Sequence, residues 1–400
     1  MCFVTVPHPL GMISKEEVNA KVDAAFDDIV KAATAWTPSK EKQDAQVKPY
    51  PAKRFKFSGT YADVNDMFQK RKWSLSLPIV PPTVDKVAAM LKGTKRNPAE
   101  VLWVVPPRQG MLTVELVAAL GVMAGAKPEH MPLLIATVEA MADPVAAWRG
   151  PTTTTAATVP VFFISGPIIE KLKLNPGTGT AGGENPVTNA LVGDVVGGSV
   201  PPNFDKSTHG SSADLVAMVF TENAKENPWK TTYAEEAGFK PGDSIVTHFS
   251  AYLGNANIDH DSKTGQRLLT TLSTGLLGSA SGLASCLADY DATYAINNKV
   301  SFAFIVLCPE HAATIAKDFP DQRAARDFMR ETAAMPYKFY SQETCVPGKD
   351  FGPYDENTFI PRFKKTESIK FFVSGGPGKQ SQIWVPFPQV FKPVSKKIAE

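Results

Sequence analysis

The chain is short of the features that announce a function by themselves. Its four cysteines, Cys2, Cys286, Cys308 and Cys345, are too far apart to form a CxxC pair. That spacing encodes neither a zinc knuckle nor a thioredoxin-type dithiol. So few cysteines in a long chain suit a reducing, cytoplasmic compartment. No stretch approaches the roughly 18 uninterrupted apolar residues of a membrane span. Met1 to Leu10 has no basic segment ahead of an apolar run, so a secretory signal is not expected. An excess of one charge is missing too: 42 Lys and Arg stand against 40 Asp and Glu. The densest basic groups (Lys53, Arg54 and Lys56, then Lys70, Arg71 and Lys72) are short, so no nucleic-acid face is expected.

What is present is the composition of a globular protein, with 43% apolar and 20% charged residues. Four hundred residues exceed one ordinary core, which points to two lobes. Residues 14–35 read as a helix, with a Ser14/Glu17 capping box and Val18, Val22, Phe26, Ile29 and Val30 on one face. Residues 37–60 read as an extended linker. From residue 101 apolar runs end abruptly in polar, Pro- or Gly-bearing turns: Val101–Val105, Val159–Ile164, Leu215–Phe220, Val300–Leu307 and Ile369–Val373. Helical patterns follow at 113–125, 128–142, 167–173 and 309–318. Near-continuous apolar strands of this kind are usually covered by helices on both faces. The fold expected is therefore α/β, with mixed or mostly parallel sheets flanked by helices. The expected divisions are an N-terminal helix and linker (1–60), a first lobe (61–240) and a second lobe (241–400). The loop-rich stretch 175–212 and the small-residue stretch 272–288 are left open.

In open α/β sheets ligands gather at the carboxyl ends of strands, which makes the five turns the expected site. After 101–105 comes Pro106-Pro107-Arg108-Gln109-Gly110, where a rigidly held arginine suits a carboxylate or phosphate. Its structural alternative is a surface turn. After 215–220 comes Thr221-Glu222-Asn223, and after 300–307 comes Cys308-Pro309-Glu310-His311. A cysteine opening a helix has its thiolate favoured, with Glu310 and His311 at hand as acid and base. The alternative is a buried, inert thiol. Pro128-Glu129-His130 repeats the Pro-Glu-His motif and is explained as well by helix-start preferences. Ser374-Gly375-Gly376-Pro377-Gly378-Lys379 offers backbone N–H groups to an anion, or is a plain tight turn. Asp259-His260-Asp261, with His248 upstream, offers metal-ligand types in a polar loop, but no tightly bound zinc is expected. His209 has serines nearby, yet the GxSxG of a nucleophile elbow is absent.

Taken in order, several of these segments resemble the region that follows the redox motif in UGSC-type proteins and selenoproteins. The matching residues are Val6-Pro7-His8-Pro9-Leu10-Gly11, Leu77-Pro78-Ile79-Val80-Pro81-Pro82-Thr83, Pro106-Pro107-Arg108-Gln109-Gly110, and Val122-Met123-Ala124-Gly125 with Lys127-Pro128-Glu129-His130. Further along they are Glu222-Asn223 with Pro228-Trp229, Pro309-Glu310-His311-Ala312 and Ser374-Gly375-Gly376-Pro377-Gly378. The Sec/Cys-Gly-Ser-Cys motif that names that family is absent, and Ala126 stands where the resemblance implies a cysteine. The resemblance implies redox chemistry supplied by a separate small subunit carrying that motif, or lost.

The functional expectation is a subunit of an oligomeric enzyme, an oxidoreductase or lyase, acting on a small organic molecule. Cys308, Glu310, His311 and Glu222 are the expected catalytic groups, and Arg108, Gln109, Gly375, Gly376 and Gly378 are expected to bind substrate. Arg108, Glu222, His311 and Gly376 are expected to converge. The cofactor is left unknown. The alternatives are a non-catalytic binding or scaffold subunit, and a lyase or hydratase using acid–base residues alone.

Overall fold

A computed structural model describes residues 4, 6, 13–35, 54–71, 73, 74, 78–106, 109–152, 158–180, 217–252, 254–278, 302–340, 355–387, 390 and 392–399. The chain forms two compact units, Met1–Tyr50 and Pro51–Glu400. In the first, α1 (Lys15–Thr34) begins at the expected capping box: Glu17 N–H donates to Ser14 Oγ and Ser14 N–H to the Glu17 carboxylate. Its apolar residues Val22, Phe26, Ile29 and Val30 are exposed.

In the second unit, α2 (Tyr61–Lys70) and α3 (Val84–Leu91) precede a hairpin of β1 (Val101–Val105) and β2 (Gly110–Thr113). Then come α4 (Val114–Met123) and α5 (Met131–Ala142). The first main sheet takes β3 (Thr158–Ser165), β4 (Met218–Thr221), β5 (Ile245–Tyr252) and β12 (Val394–Lys397), in the order β12-β5-β3-β4. The short helices α6 (Ile168–Lys171) and α7 (Tyr233–Glu236) follow β3 and β4. The second sheet takes β6 (Asn255–Ile258), β7 (Ala303–Leu307), β10 (Ile369–Val373) and β11 (Gln380–Trp384), in the order β6-β11-β7-β10. Around it lie α8 (Gly265–Gly278), α9 (Pro309–Asp318) and α10 (Gln322–Thr332), and a small ladder of β8 (Ala334–Pro336) with β9 (Phe359–Pro361).

The two sheets are built alike. Each has one parallel pair, β3 with β4 and β7 with β10, and two further strands added antiparallel. The registers superimpose: Ile164 faces Thr221 as Leu307 faces Val373, and Phe162 faces His248 as Ile305 faces Ile383. Two isolated bridges join the sheets, Glu222 to Ser374 and Ala251 to Pro386, and each pairs positions that correspond under this register. The hydrogen bonds beside the second bridge are reciprocal: Tyr252 N–H donates to the Val385 carbonyl (3.1 Å) and Phe387 N–H to the Ser250 carbonyl (2.8 Å). The chain is thus folded as two repeats, α5-β3-β4-β5-β6 and α8-β7-β10-β11-β12, about a pseudo-twofold axis. The fourth strands are exchanged, β6 completing the second sheet and β12 the first.

Side-chain alternation along the strands fills both faces. From β3 and β7, Val161, Phe163, Phe304 and Val306 point between the sheets, where Phe220, Phe249, Phe372 and Trp384 join them. Phe163 is the hub, with ring centroids 4.4 Å from Phe304 and 4.9 Å from Phe372. Phe162, Ile164 and Val219 face the other way, into a core with α3, α4 and α5. Ile305, Leu307 and Phe371 face α8, α9 and α10. This corrects the expectation of helices on both faces. Each sheet has helices on one side and the other sheet on its second side, which an apolar run does not distinguish. Nor do the sheets divide at residue 240, because β5 is the central partner of β3.

Candidate functional site

β7 ends at Leu307 and Pro309 opens α9, so Cys308 is that helix's N-cap, with extended backbone and a buried, free thiol. As a thiol it makes no capping hydrogen bond. Burial pushes its pKa up. The His311 imidazole and the backbone N–H groups of His311 and Gln380 outweigh this, and the thiol sits below its ordinary value. His311 is also buried. Its Nε2 lies 3.1 Å from the Asp259 carbonyl, which only accepts, so Nε2 carries the proton. Nδ1 is then the basic nitrogen of the neutral ring, 2.8 Å from Ser381 Oγ on β11. Ser381 Oγ also accepts from Cys308 N–H at 3.3 Å. Burial lowers the His311 pKa, but Cys308 and Asp259 raise it more, and the net shift is upward.

Glu222 lies just past β4 and is buried. Ser165 Oγ donates to its Oε2, Tyr233 N–H donates to its Oε1 at 2.7 Å, and Ala234 N–H donates to Ser165 Oγ at 3.1 Å. Burial dominates and holds this carboxyl up at about 7 despite those donors. Its N–H donates to Ile164 as Ser374 N–H donates to Leu307, the same contact in each repeat. Glu222 and Cys308 therefore flank the meeting point of the parallel-strand ends.

The turn 374–379 runs between them. Asn223 Nδ2 donates to the Gly375 carbonyl, while Glu310 Oε2 accepts from Gly378 N–H (2.7 Å) and Lys379 N–H (3.0 Å). The turn does cradle an anion, and that anion is the Glu310 carboxylate. Gly375 N–H is also engaged, by the Pro176 carbonyl, and a Cβ on Gly376 would meet Thr178 Oγ1 at 2.1 Å. These glycines admit a close backbone approach and leave those N–H groups occupied. Glu310 is correspondingly a turn-holding group.

No family model, curated protein or solved structure matches the chain. The site therefore rests on its own geometry.

Arg108 lies outside the described residues, as do Cys2, Cys286, Cys345 and His209. Gln109 is described: it closes the β1–β2 hairpin with a positive φ of 60°. β1 belongs to neither main sheet, so the strand-end argument that brought Gln109 to the site does not apply to it. An open recess of about 440 Å³ beside that hairpin is walled by Trp103, Trp148 and Arg149, apart from Cys308 and Glu222. His130 caps its own turn, accepting from Lys127 N–H on Nδ1. The Asp259 carboxylate is consumed locally by Ser262, Thr271 and Asp261, which hold it at about 2 although burial opposes them. Among the described residues no group of three or more His, Cys, Asp or Glu is placed to hold a metal ion, and no helix is long and apolar enough to cross a membrane.

Sequence reading missed Ser165 and Ser381. Both are single serines at strand positions, and only the register brings them to Glu222 and His311.

Proposed function

We propose that the chain is a subunit of an enzyme acting on a small organic molecule, with Cys308 as the attacking thiolate and His311 as its proton acceptor. One observation supports this above the others: Cys308 sits with two buried polar groups, His311 and Ser381, that the same fold does without in its other repeat. There the corresponding strand positions hold Ser165 and Val246, and the first turn of α6 is Ile168-Ile169-Glu170-Lys171. A cysteine kept only for packing needs neither a fixed imidazole nor a thiolate-favouring helix end. In this reading the redox half of the chemistry belongs to a small partner subunit with a Cys-Gly-Ser-Cys motif, as the resemblance to UGSC-type proteins implies.

Glu222 favours a second reading, a lyase or hydratase. A carboxyl held at about 7 both gives and takes a proton at neutral pH. Alkylation with iodoacetamide across a pH series, read by mass spectrometry at each cysteine, separates the two. Cys308 is expected to label with a midpoint below that of Cys286 and Cys345, and Cys308→Ser to lower turnover at least ~10-fold. Labelling of Cys308 no faster than the others would leave Glu222 as the centre of the chemistry.

A further inference from the structure

Ser381 is assigned no role by the reading above, yet it touches both partners of the dyad. In the neutral dyad its hydroxyl donates to His311 Nδ1 (2.8 Å) while accepting from Cys308 N–H (3.3 Å). When His311 takes up a proton, Nδ1 becomes a donor. A hydroxyl has one hydrogen and two lone pairs, so it turns and accepts from Nδ1–H and Cys308 N–H together. Nε2–H stays on the Asp259 carbonyl throughout. Both charge states of His311 are then satisfied inside a buried site, where an unpaired donor or acceptor is costly.

We propose that Ser381 is the positioning residue that lets His311 accept the Cys308 proton, a reversible partner serving the neutral and the charged imidazole in turn. The step balances without a co-reactant: the S–H bond breaks, an N–H bond forms at Nδ1, and a thiolate–imidazolium pair replaces thiol and imidazole. The inference rests on the thiol reading of the site. Valine at the corresponding place, Val246, shows that the sheet itself does not ask for a hydroxyl.

Among the described residues few other charges face the dyad. Asp259 presents its carbonyl, with its carboxylate bound locally. Glu310, next to Cys308, points to the turn, and the Lys379 ammonium donates to the His260 carbonyl. α8 has a single ionisable side chain, Arg267, which is exposed. On α10, Arg323, Arg326 and Arg330 pair with Glu367, Glu236 and Asp327.

The test compares Ser381→Ala with Ser381→Thr in the full chain, after thermal melts show both folded. Ser381→Ala is expected to slow iodoacetamide alkylation of Cys308 at pH 7 about tenfold by moving its midpoint up by about one pH unit. Ser381→Thr, which keeps the hydroxyl, is expected to stay within about threefold of the parent. A second readout is independent of the thiol: the NMR titration of His311 in a Cys308→Ala background, where adding Ser381→Ala should lower the His311 midpoint. If Cys308 labels at an ordinary rate but the His311 midpoint still falls, the thiol reading fails and the positioning role stands. An unmoved His311 midpoint, or a threonine variant as slow as the alanine variant, would overturn the role of Ser381.

Discussion

The two repeats share one backbone plan and spend their polar residues differently. At the end of the first strand Ser165 corresponds to Cys308, and just past the second Glu222 corresponds to Ser374. On the third strand His248 corresponds to Ile383, and two residues back Val246 to Ser381. Each repeat is thus a control for the other. Where one holds an apolar residue and the other a buried polar group, the fold does not demand the polar group, and burying it is a cost unless its partners are present. By that measure His311 and Ser381, which stand where the first repeat has Ile168 and Val246, are additions to the scaffold, while Cys308 takes the place of another buried polar residue, Ser165. In the first repeat His248 is an addition, standing where the second has Ile383, and Glu222 puts a carboxyl where the second repeat has the Ser374 hydroxyl; the two carry opposite consequences for stability.

The interior between the sheets is where the repeats should behave alike. Phe163 and Phe304 stack on each other at 4.4 Å, one from each repeat. Truncation of either to alanine is expected to cost about 3–5 kcal/mol in denaturant unfolding. The double variant should cost less than the sum, because the lost contact is shared. A loss near 1 kcal/mol at one residue and several at the other would mean that a single repeat holds the core.

The polar groups of the first repeat should separate the two by pH. Burial raises Glu222 from 4.5 to about 7, so the folded chain holds that proton more tightly; its contribution is complete below 4.5 and is lost as pH rises to about 7. His248 is fully buried, with Nδ1 on the Val161 carbonyl and Nε2 without a partner among the described residues, and burial depresses it from 6.5 to about 3. Its contribution is present above 6.5 and lost as pH falls towards about 3. Between 4.5 and 6.5 the two slopes oppose each other. Relative to the parent, Glu222→Gln should therefore lose about 3 kcal/mol on acidification across that window, and His248→Ile should gain a similar amount. Urea midpoints at the two pH values read both. Parallel behaviour of the two variants would contradict the burial that sets these shifts.

Putting the first repeat's apolar choices into the second tests the trio. Ser381→Val alone strands His311 Nδ1 and Cys308 N–H, at about 1–3 kcal/mol. His311→Ile alone leaves the Ser381 hydroxyl facing an apolar side chain. Combined, the two should cost less than their sum by about 1–2 kcal/mol. Strict additivity would mean that the serine and the histidine do not act as a pair.

Much of the architecture could be read from the sequence, because local rules govern it. The Ser14 capping box, the strands at Val101–Val105 and Ile369–Val373 and the helix at Pro309–Asp318 all lie where apolar runs and cap residues put them. The duplication could not be read in the same way. It resides in register and strand exchange, and corresponding strands such as Val161–Ile164 and Phe304–Leu307 share only apolar character. The nearest local echo, Phe162-Phe163-Ile164-Ser165-Gly166 against Phe371-Phe372-Val373-Ser374-Gly375, aligns β3 with β10, which do not correspond. The site was legible to the same degree. Cys308, His311 and Glu222 stand out as strand-end residues, whereas Ser381, Ser165 and the Asp259 carbonyl enter only through long-range pairing.

The smallest difference between the repeats lies in the turn after each second strand. In the first, Asn223 Oδ1 accepts from Glu226 N–H and Asn227 Oδ1 from Trp229 N–H, so neutral side chains close the turn from within. In the second, Gly378 and Lys379 present their N–H groups to a carboxylate from another element, Glu310. Glu310→Ala should therefore cost about 1 kcal/mol, the low end for hydrogen bonds to a charged group because the site is partly solvated. It should also leave two convergent N–H groups open to an external anion. Millimolar inorganic phosphate is expected to raise the melting temperature of Glu310→Ala and leave Asn223→Ala unchanged, since that turn has no anion to replace. An equal response in both variants, or in neither, would show that the Gly-rich turn is held by its own backbone and that Glu310 merely lies against it.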